Sequence, residues 1–374
     1  MRSTKPKLVA LAAGGTGGHL FPAQALAEVL RDRGHDVHLV TDERVEEYGK
    51  SFPASQTHVV PSASLSLSKP LQVPANLLRL YSGITKAKHL FQQHKPDVVV
   101  GFGGYPSLPP LWAASSLRIP AIIHEQNAVL GRANKFMASR VNAIATSFEQ
   151  VLKLTPEAKA KTVLTGNPVR QLVLNFVKAP YPAITATSPL RIVVFGGSQG
   201  ARFFSDVTPE AVKLLPDALR ARLSIVQQCR QEDMARVEKA YAAIGIEARL
   251  SHFFANMPEE IAGSHLVICR SGASSIAELG VIGRPAILVP LPHAIDNDQQ
   301  KNAESFATAG AGHIRAQNDL TPQSFGSLLQ QLLSDPQALK DAAEAAARHG
   351  KPDAHKKLAD LVERHMSRQS PQEI

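Results

Sequence analysis

Residues 14–19 read Gly14-Gly15-Thr16-Gly17-Gly18-His19, between the apolar run Lys7-Leu8-Val9-Ala10-Leu11-Ala12 and a segment with Ala23, Leu26, Ala27 and Leu30 at helical spacing. A dense row of backbone N–H groups at the start of a helix suits the oxygens of a phosphate or pyrophosphate. The loop is not a dinucleotide fingerprint, because G-x-G-x-x-G needs glycine where Leu20 stands. Nor is it a Walker A loop, since no Gly-Lys-Ser/Thr follows. A nicotinamide is thus disfavoured, and no cofactor is expected. Two further loops, Gly101-Phe102-Gly103-Gly104-Tyr105 and Gly196-Gly197-Ser198-Gln199-Gly200, imply more than one phosphorylated ligand. His19 is the first side chain after the first loop. The positive end of a helix lowers imidazole basicity there and favours a neutral ring able to act as a base.

The second half of the chain carries Arg270-Ser271-Gly272-Ala273-Ser274-Ser275-Ile276-Ala277-Glu278 after a buried-strand pattern, which puts small residues and hydroxyls at a helix start. A carboxylate at position 278 suits the paired hydroxyls of a ribose. Asp296-Asn297-Asp298-Gln299-Gln300 follows Pro290 and Pro292 and forms a polar loop whose amides suit sugar hydroxyls. Other histidines, among them His89, His94, His252 and His265, are scattered and read as structural.

The elements that must position these residues repeat. Strand, glycine loop, helix and strand run from Lys7 to Val40, and the same order restarts at Arg191-Ile192-Val193-Val194-Phe195. Further strands are expected at Val98-Val100, Ala121-His124, Asn142-Ala145 and Thr162-Leu164, then at Ser224-Gln227, Ala248-Leu250, Leu266-Cys269 and Ala286-Val289. Their uninterrupted apolar character fits parallel sheets covered on both faces. The expected fold is α/β: two Rossmann-like, doubly wound parallel-sheet domains facing a deep cleft. Its parts are a first domain over 1–178, a proline-rich linker over 179–189, a second domain over 190–350, and a C-terminal helix and tail over 351–374. A chain of 374 residues exceeds one usual core. Two cysteines, no CxxC and no Cys/His cluster argue for a reducing compartment and against a metal site. No stretch has the ~18 apolar residues of a membrane span, so any membrane contact is expected to be peripheral. The formal charge of +9 favours an anionic partner.

Taken together, these motifs resemble the MurG family, the bacterial UDP-N-acetylglucosamine transferases that complete the disaccharide of the lipid-linked peptidoglycan precursor. The resemblance spans nearly the whole chain and also rests on His124-Glu125-Gln126-Asn127, Gly166-Asn167-Pro168-Val169-Arg170 and Asp298-Gln299-Gln300. It implies a GT-B fold and inverting, metal-independent transfer from UDP-N-acetylglucosamine to the C4 hydroxyl of undecaprenyl-pyrophosphoryl-N-acetylmuramyl pentapeptide. His19 would act in the chemical step. Thr16, Gly17, Gly18 and Asn127 would contact the donor sugar, and Arg170 and Ser198 its diphosphate. Phe254 would meet the uracil through its backbone, although an aliphatic residue is familiar there, and Ala273, Ser274, Ser275, Ile276, Ala277 and Glu278 would line the nucleoside. Gln299 and Gln300 would hold sugar hydroxyls, in a loop that is longer than usual. Gly14, Gly15, Gly103, Gly104 and Tyr105 would receive the acceptor pyrophosphate. The acceptor's lipid tail implies peripheral attachment to the anionic cytoplasmic face of the inner membrane. Leu71, Val73, Leu77, Leu78, Leu80 and Ile84, beside Arg79, Lys86 and Lys88, offer apolar side chains with adjacent cations.

Two other readings share the fold: a UDP-N-acetylglucosamine 2-epimerase, which would consume donor without acceptor, and another glycolipid synthase. A nucleic-acid partner is not expected, since no aromatic RNA-binding motif, zinc finger or basic helix is present.

Overall fold

The computed structural model describes residues 6–45, 52–63, 73–177, 179–196, 202–292 and 294–366. They form two compact units, Met1–Arg170 with Asp353–Ile374, and Gln171–Pro352. The first unit holds β1 (Leu8–Ala12), β2 (Asp36–Thr41), β3 (Gln56–Val59), β4 (Val98–Gly101), β5 (Ala121–Glu125), β6 (Ala143–Thr146) and β7 (Thr162–Leu164). They lie in the order β3-β2-β1-β4-β5-β6-β7, and every neighbouring pair is parallel. The second unit holds β8 (Leu190–Phe195), β9 (Leu223–Gln228), β10 (Ala248–Ser251), β11 (Leu266–Cys269), β12 (Ala286–Leu288) and β13 (Gly312–Ile314). These are again all parallel, in the order β10-β9-β8-β11-β12-β13. Both units therefore have the doubly wound order, with a reversal beside their first strand. β3 and β13 lie outside the strands read from the sequence. Each is an edge strand, short and partly polar, and only its pairing reveals it.

The helix Ala354–Met366 joins the first unit although it follows the whole of the second in the chain. Its Leu358, Ala359, Leu361 and Val362 share a core with Leu20, Ala23, Leu26 and Leu30 of the helix Gly17–Asp32. Each fully buried leucine contributes roughly 1.5–3 kcal/mol. Arg33 adds ion pairs at 2.8 Å to Asp360 and 3.0 Å to Glu363. This helix thereby seats the one that carries His19.

The segment 179–189, expected as a linker, lies wholly inside the second unit, and the division between units falls at 170 instead. The buried Arg284 donates to the carbonyls of Ala179 and Pro180, the latter at 2.8 Å. Tyr181 donates its hydroxyl to the His265 carbonyl at 2.8 Å, and Arg222 donates to the carbonyls of Thr185 and Ser188. Prolines deny this segment a ladder of its own, so arginine side chains satisfy its carbonyls.

At one edge of the first sheet His38 on β2, His58 on β3 and His94 at the end of the helix Val73–His94 form a triangle with ring centroids 5.1 Å apart. Burial, then the neighbouring rings, pushes His58 down to about 4. A histidine depressed when folded takes up its proton more readily when unfolded. Its contribution is intact above about pH 6.5 and is lost as pH falls towards 4. The melting temperature is expected to fall over that window, and His58→Gln is expected to flatten the fall. A wild-type and variant pair with parallel Tm profiles would remove His58 from this account.

Candidate active site

In a parallel sheet the loops at the carboxyl ends of neighbouring strands emerge side by side. β1 pairs with β4 at Ala12↔Gly101, and β4 pairs with β5 at Gly101↔Ile123. The first glycine loop, the Gly101–Tyr105 loop and the segment after Glu125 therefore gather at one edge. Gly14 is buried, and a Cβ there would stand 2.8 Å from Thr41 Oγ1, so glycine at 14 serves close packing. Gly15 has φ +84°, and a Cβ on it would come 3.5 Å from an Arg44 guanidinium nitrogen. Arg44 is itself paired with Asp42 at 2.6 Å. Thr16 caps the helix Gly17–Asp32 in extended backbone, with no bond from its side chain, and Thr16 and Gly18 are exposed. Gly103 and Gly104 have φ +81° and +68°. A Cβ on Gly104 would lie 3.2 Å from His19 Cδ2 and 3.3 Å from its Nε2, and one on Gly103 would lie 3.5 Å from Cε1. Tyr105 opens a short turn and packs, half-buried, on the core.

His19 is half-buried, with Nδ1 3.2 Å from Gln126 Oε1. Burial lowers its pKa, against hydrogen bonding to Gln126 and to the Phe102 backbone, which raises it. The neutral ring expected from the helix start is thus favoured mainly by desolvation. Behind it, Gln126 donates to His124 Nδ1 at 3.0 Å. Glu125 is buried and accepts from the backbone N–H of Asn127 at 3.0 Å and of Gly131 at 2.8 Å, and from the Asn134 amide at 2.8 Å. Burial raises its pKa while these donors oppose the rise. Such a carboxylate braces the 126–134 loop. Arg170 holds its guanidinium 4.1 Å from the centroid of the Phe21 ring, on the helix that carries His19.

In the second unit the helix Ala273–Ile282 starts after β11, with Gly272 as its cap and no acidic residue in its first turn. Glu278 is therefore not placed to offset the helix dipole. Ser274, Ser275, Ala277 and Glu278 are half-buried, whereas Ala273 and Ile276 are buried on the inner side. Buried Arg270 donates to the carbonyls of Val289 at 3.1 Å and Pro290 at 3.2 Å, fixing the segment that leads to the glutamines. Gln299 Oε1 accepts from the Leu291 N–H at 2.9 Å, and Gln300 Nε2 donates to Glu304 at 3.2 Å. Phe254 is half-buried, with Arg249 5.5 Å from its ring centroid. A groove of about 650 Å³ in this unit, between the 179–184 segment and the helix Pro336–His349, holds none of these residues. Ser198 lies outside the described residues. Among the described residues, no group of three or more His, Cys, Asp or Glu is arranged to hold a metal ion.

Residues 9–146 match the N-terminal domain of glycosyltransferase family 28, and residues 191–358 match its C-terminal domain. The UDP-N-acetylglucosamine--N-acetylmuramyl-(pentapeptide) pyrophosphoryl-undecaprenol N-acetylglucosamine transferase of Rhizobium johnstonii is 51% identical over 360 residues, 95% of each chain. The crystal structure of Acinetobacter baumannii MurG is similar with a TM-score of 0.79 at 30% identity, covering 96% of this chain and 100% of that one. The chain belongs to the MurG family, within glycosyltransferase family 28. It is a glycosyltransferase with the GT-B fold expected above. A UDP-N-acetylglucosamine 2-epimerase from Neisseria meningitidis has a TM-score of 0.64, covering 96% of this chain and 100% of that one, but only 13% identity, a likeness of fold alone.

In this MurG family member the structure brings His19, Gly103, Gly104 and the neighbourhood of Asn127 together. The sequence reading missed Arg44 beside Gly15, and it used His124, Glu125 and Gln126 only as a motif. Their signal was that motif itself, three polar residues closing an apolar strand. Ala at position 104 would meet both the His19 ring and the strain of positive φ, whereas Ala at Gly34, φ +85° with nothing within 4 Å of a Cβ, would meet only the strain. Gly104→Ala and Gly34→Ala are each expected to cost about 1–2 kcal/mol in urea unfolding, with only Gly104→Ala losing turnover. Equal turnover in the two variants would show that the contact with His19 does not matter.

Proposed function

We propose that the chain transfers N-acetylglucosamine, with inversion, from UDP-N-acetylglucosamine to the C4 hydroxyl of undecaprenyl-pyrophosphoryl-N-acetylmuramyl pentapeptide. The observation that carries the chemistry is His19, its pKa lowered by burial at a helix start, set against two glycines that place no side chain on its ring. The C4 hydroxyl gives its proton to His19, and its oxygen forms the bond to the anomeric carbon. The bond from that carbon to the diphosphate oxygen breaks on the opposite face, and UDP leaves with the electron pair. A positioned base of this kind is worth about 10²–10⁴ in rate.

Arg170, Ser198 and the helix N-termini are the groups we assign to the charge of the departing diphosphate, in place of a divalent cation. Glu278 takes the ribose hydroxyls beside Ser274, Ser275 and Ala277, and the Phe254 backbone takes the uracil. Gln299, fixed through its oxygen at Leu291, offers its amide nitrogen to the sugar, next to Gln300. Thr16, Gly17, Gly18 and Asn127 meet the N-acetylglucosamine end. Gly15, Gly103, Gly104 and Tyr105 receive the acceptor pyrophosphate, for which Gly14 keeps the loop closely seated.

Membrane attachment is the finer part of this reading. Leu77, Leu78 and Tyr81 are 49%, 71% and 71% exposed on the helix Val73–His94. Val73, Leu80 and Ile84 are half-buried, Arg79 is paired with Glu43 at 2.7 Å, and Leu71 lies outside the described residues. No described helix is long and apolar enough to cross a membrane. Apolar tips on one helix end, with Lys86 and Lys88 further along, suit the anionic inner face of a membrane.

The full-length protein is expected to form the disaccharide product from UDP-N-acetylglucosamine and a short-chain muramyl-pyrophosphoryl lipid with EDTA present, and His19→Ala is expected to lower kcat by about 10²–10⁴. Donor consumption without acceptor would favour an epimerase, and activity restored only by Mn²⁺ would reject metal independence. Leu77→Ser with Leu78→Ser is expected to weaken binding to anionic vesicles while turnover of a water-soluble acceptor stays intact. Unchanged vesicle binding would move the membrane surface elsewhere.

A further inference from the structure

His19 ends a chain of hydrogen bonds through Gln126 to His124 whose donors and acceptors follow from chemistry. The chain starts at His124, fully buried on β5, whose Nε2 lies 3.0 Å from the Gly166 carbonyl. A carbonyl oxygen only accepts, so Nε2 carries the hydrogen. Burial holds the His124 pKa down to about 4, so the ring is neutral and its Nδ1 is an acceptor. Gln126 is buried beside it, with Nε2 3.0 Å from His124 Nδ1 and 3.0 Å from the His124 carbonyl. Both amide hydrogens are thereby used. Turning the amide over would set its oxygen against two acceptors, a loss of roughly 1–3 kcal/mol for each buried group left unpaired.

The orientation of Gln126 decides the rest. Its Oε1 faces His19 Nδ1 at 3.2 Å and can only accept, so Nδ1 of His19 carries the hydrogen. The Phe102 backbone is the ring's other hydrogen-bonding neighbour and raises its pKa as an acceptor does, so it competes with Gln126 for the one hydrogen of a neutral imidazole. With that hydrogen held on Nδ1 by Gln126 at 3.2 Å, the lone pair is left on Nε2. That is the atom beside which Gly104 places no side chain, since a Cβ there would stand 3.3 Å from it.

We propose that Gln126, anchored by His124, is a positioning residue that fixes His19 as the tautomer protonated on Nδ1 and so makes Nε2 the atom that takes the acceptor's proton. The inference rests on the reading of His19 as the base. Proton uptake at Nε2 leaves an imidazolium whose Nδ1–H still donates to Gln126, so the relay holds through the step without passing a proton itself. The same logic governs triads in which the group behind the histidine sets its tautomer and orientation.

The test joins tautomer and kinetics. Long-range proton–nitrogen NMR of the full chain, with nitrogen-15 histidine, reads the tautomer of His19, whose signals are assigned by their loss in His19→Ala. Wild type is expected to show hydrogen on Nδ1. Gln126→Met is expected to lose that preference and to lower kcat about 10- to 100-fold, the span for a lost supporting partner, with donor KM unchanged. The double variant is expected to be no slower than His19→Ala alone, because groups that act as a unit are not additive. Wild-type His19 protonated on Nε2 overturns the relay without any variant. Gln126→Met keeping both tautomer and kcat while His19→Ala is inactive overturns the relay and leaves the base reading standing. A normal kcat in His19→Ala overturns the base reading, and the relay's part in catalysis with it.

Discussion

The first unit depends on one neighbour relation, the parallel pairing of β1 with β4. A parallel pair cannot be joined by a tight turn, so long crossovers pass over the faces of the sheet, and the strand order reverses where the two windings meet. At that reversal two glycine loops far apart in the chain emerge together. The ring of His19 then rests on Gly103 and Gly104, both in the left-handed region of φ that favours glycine. Had β1 paired elsewhere, the first glycine loop, Gly103 and Gly104 would not meet around His19.

A second layer of control comes from polar groups buried behind those loops. Burying a carboxylate or an amide is costly unless its partners are complete. Glu125 meets three donors across the 126–134 loop, and Gln126 spends both amide hydrogens on His124. Any displacement of this loop would leave several buried groups unpaired at once. These bonds favour the observed arrangement of the loop, which suits the orientation we propose for the His19 ring.

The second unit repeats the strand order but solves the same problem with arginine. Arg284 ties the 179–180 carbonyls to the end of the helix Ala273–Ile282, and Arg270 ties the 289–290 carbonyls to Gln317. A guanidinium has five donors in a rigid plane and can satisfy several carbonyls that no ladder reaches. One topology thus supports His19, the base we propose, in the first unit and a set of small residues, hydroxyls and Glu278 in the second, which illustrates how chemistry is grafted onto a shared frame.

Much of this was legible in the sequence. The uninterrupted apolar runs of β1, β4, β5, β8 and β11 marked strands buried on both faces, and the glycine loops after β1 and β4 marked the edge of the first sheet where we propose that ligands bind. Local signals of that kind survive because burial and positive φ restrict residue type at single positions. The edge strands β3 and β13 left no such mark, since a strand with one neighbour tolerates polar residues. The sequence also could not assign the C-terminal helix to the first unit, as an apolar stripe states that a partner exists without naming it. Nor could it separate Glu125 from Gln126, two polar neighbours in one motif. Only the alternation of side chains at the end of β5 and the folding back of the loop turned one into a brace and set the other against His19, because a hydrogen bond is decided by distance and direction in space.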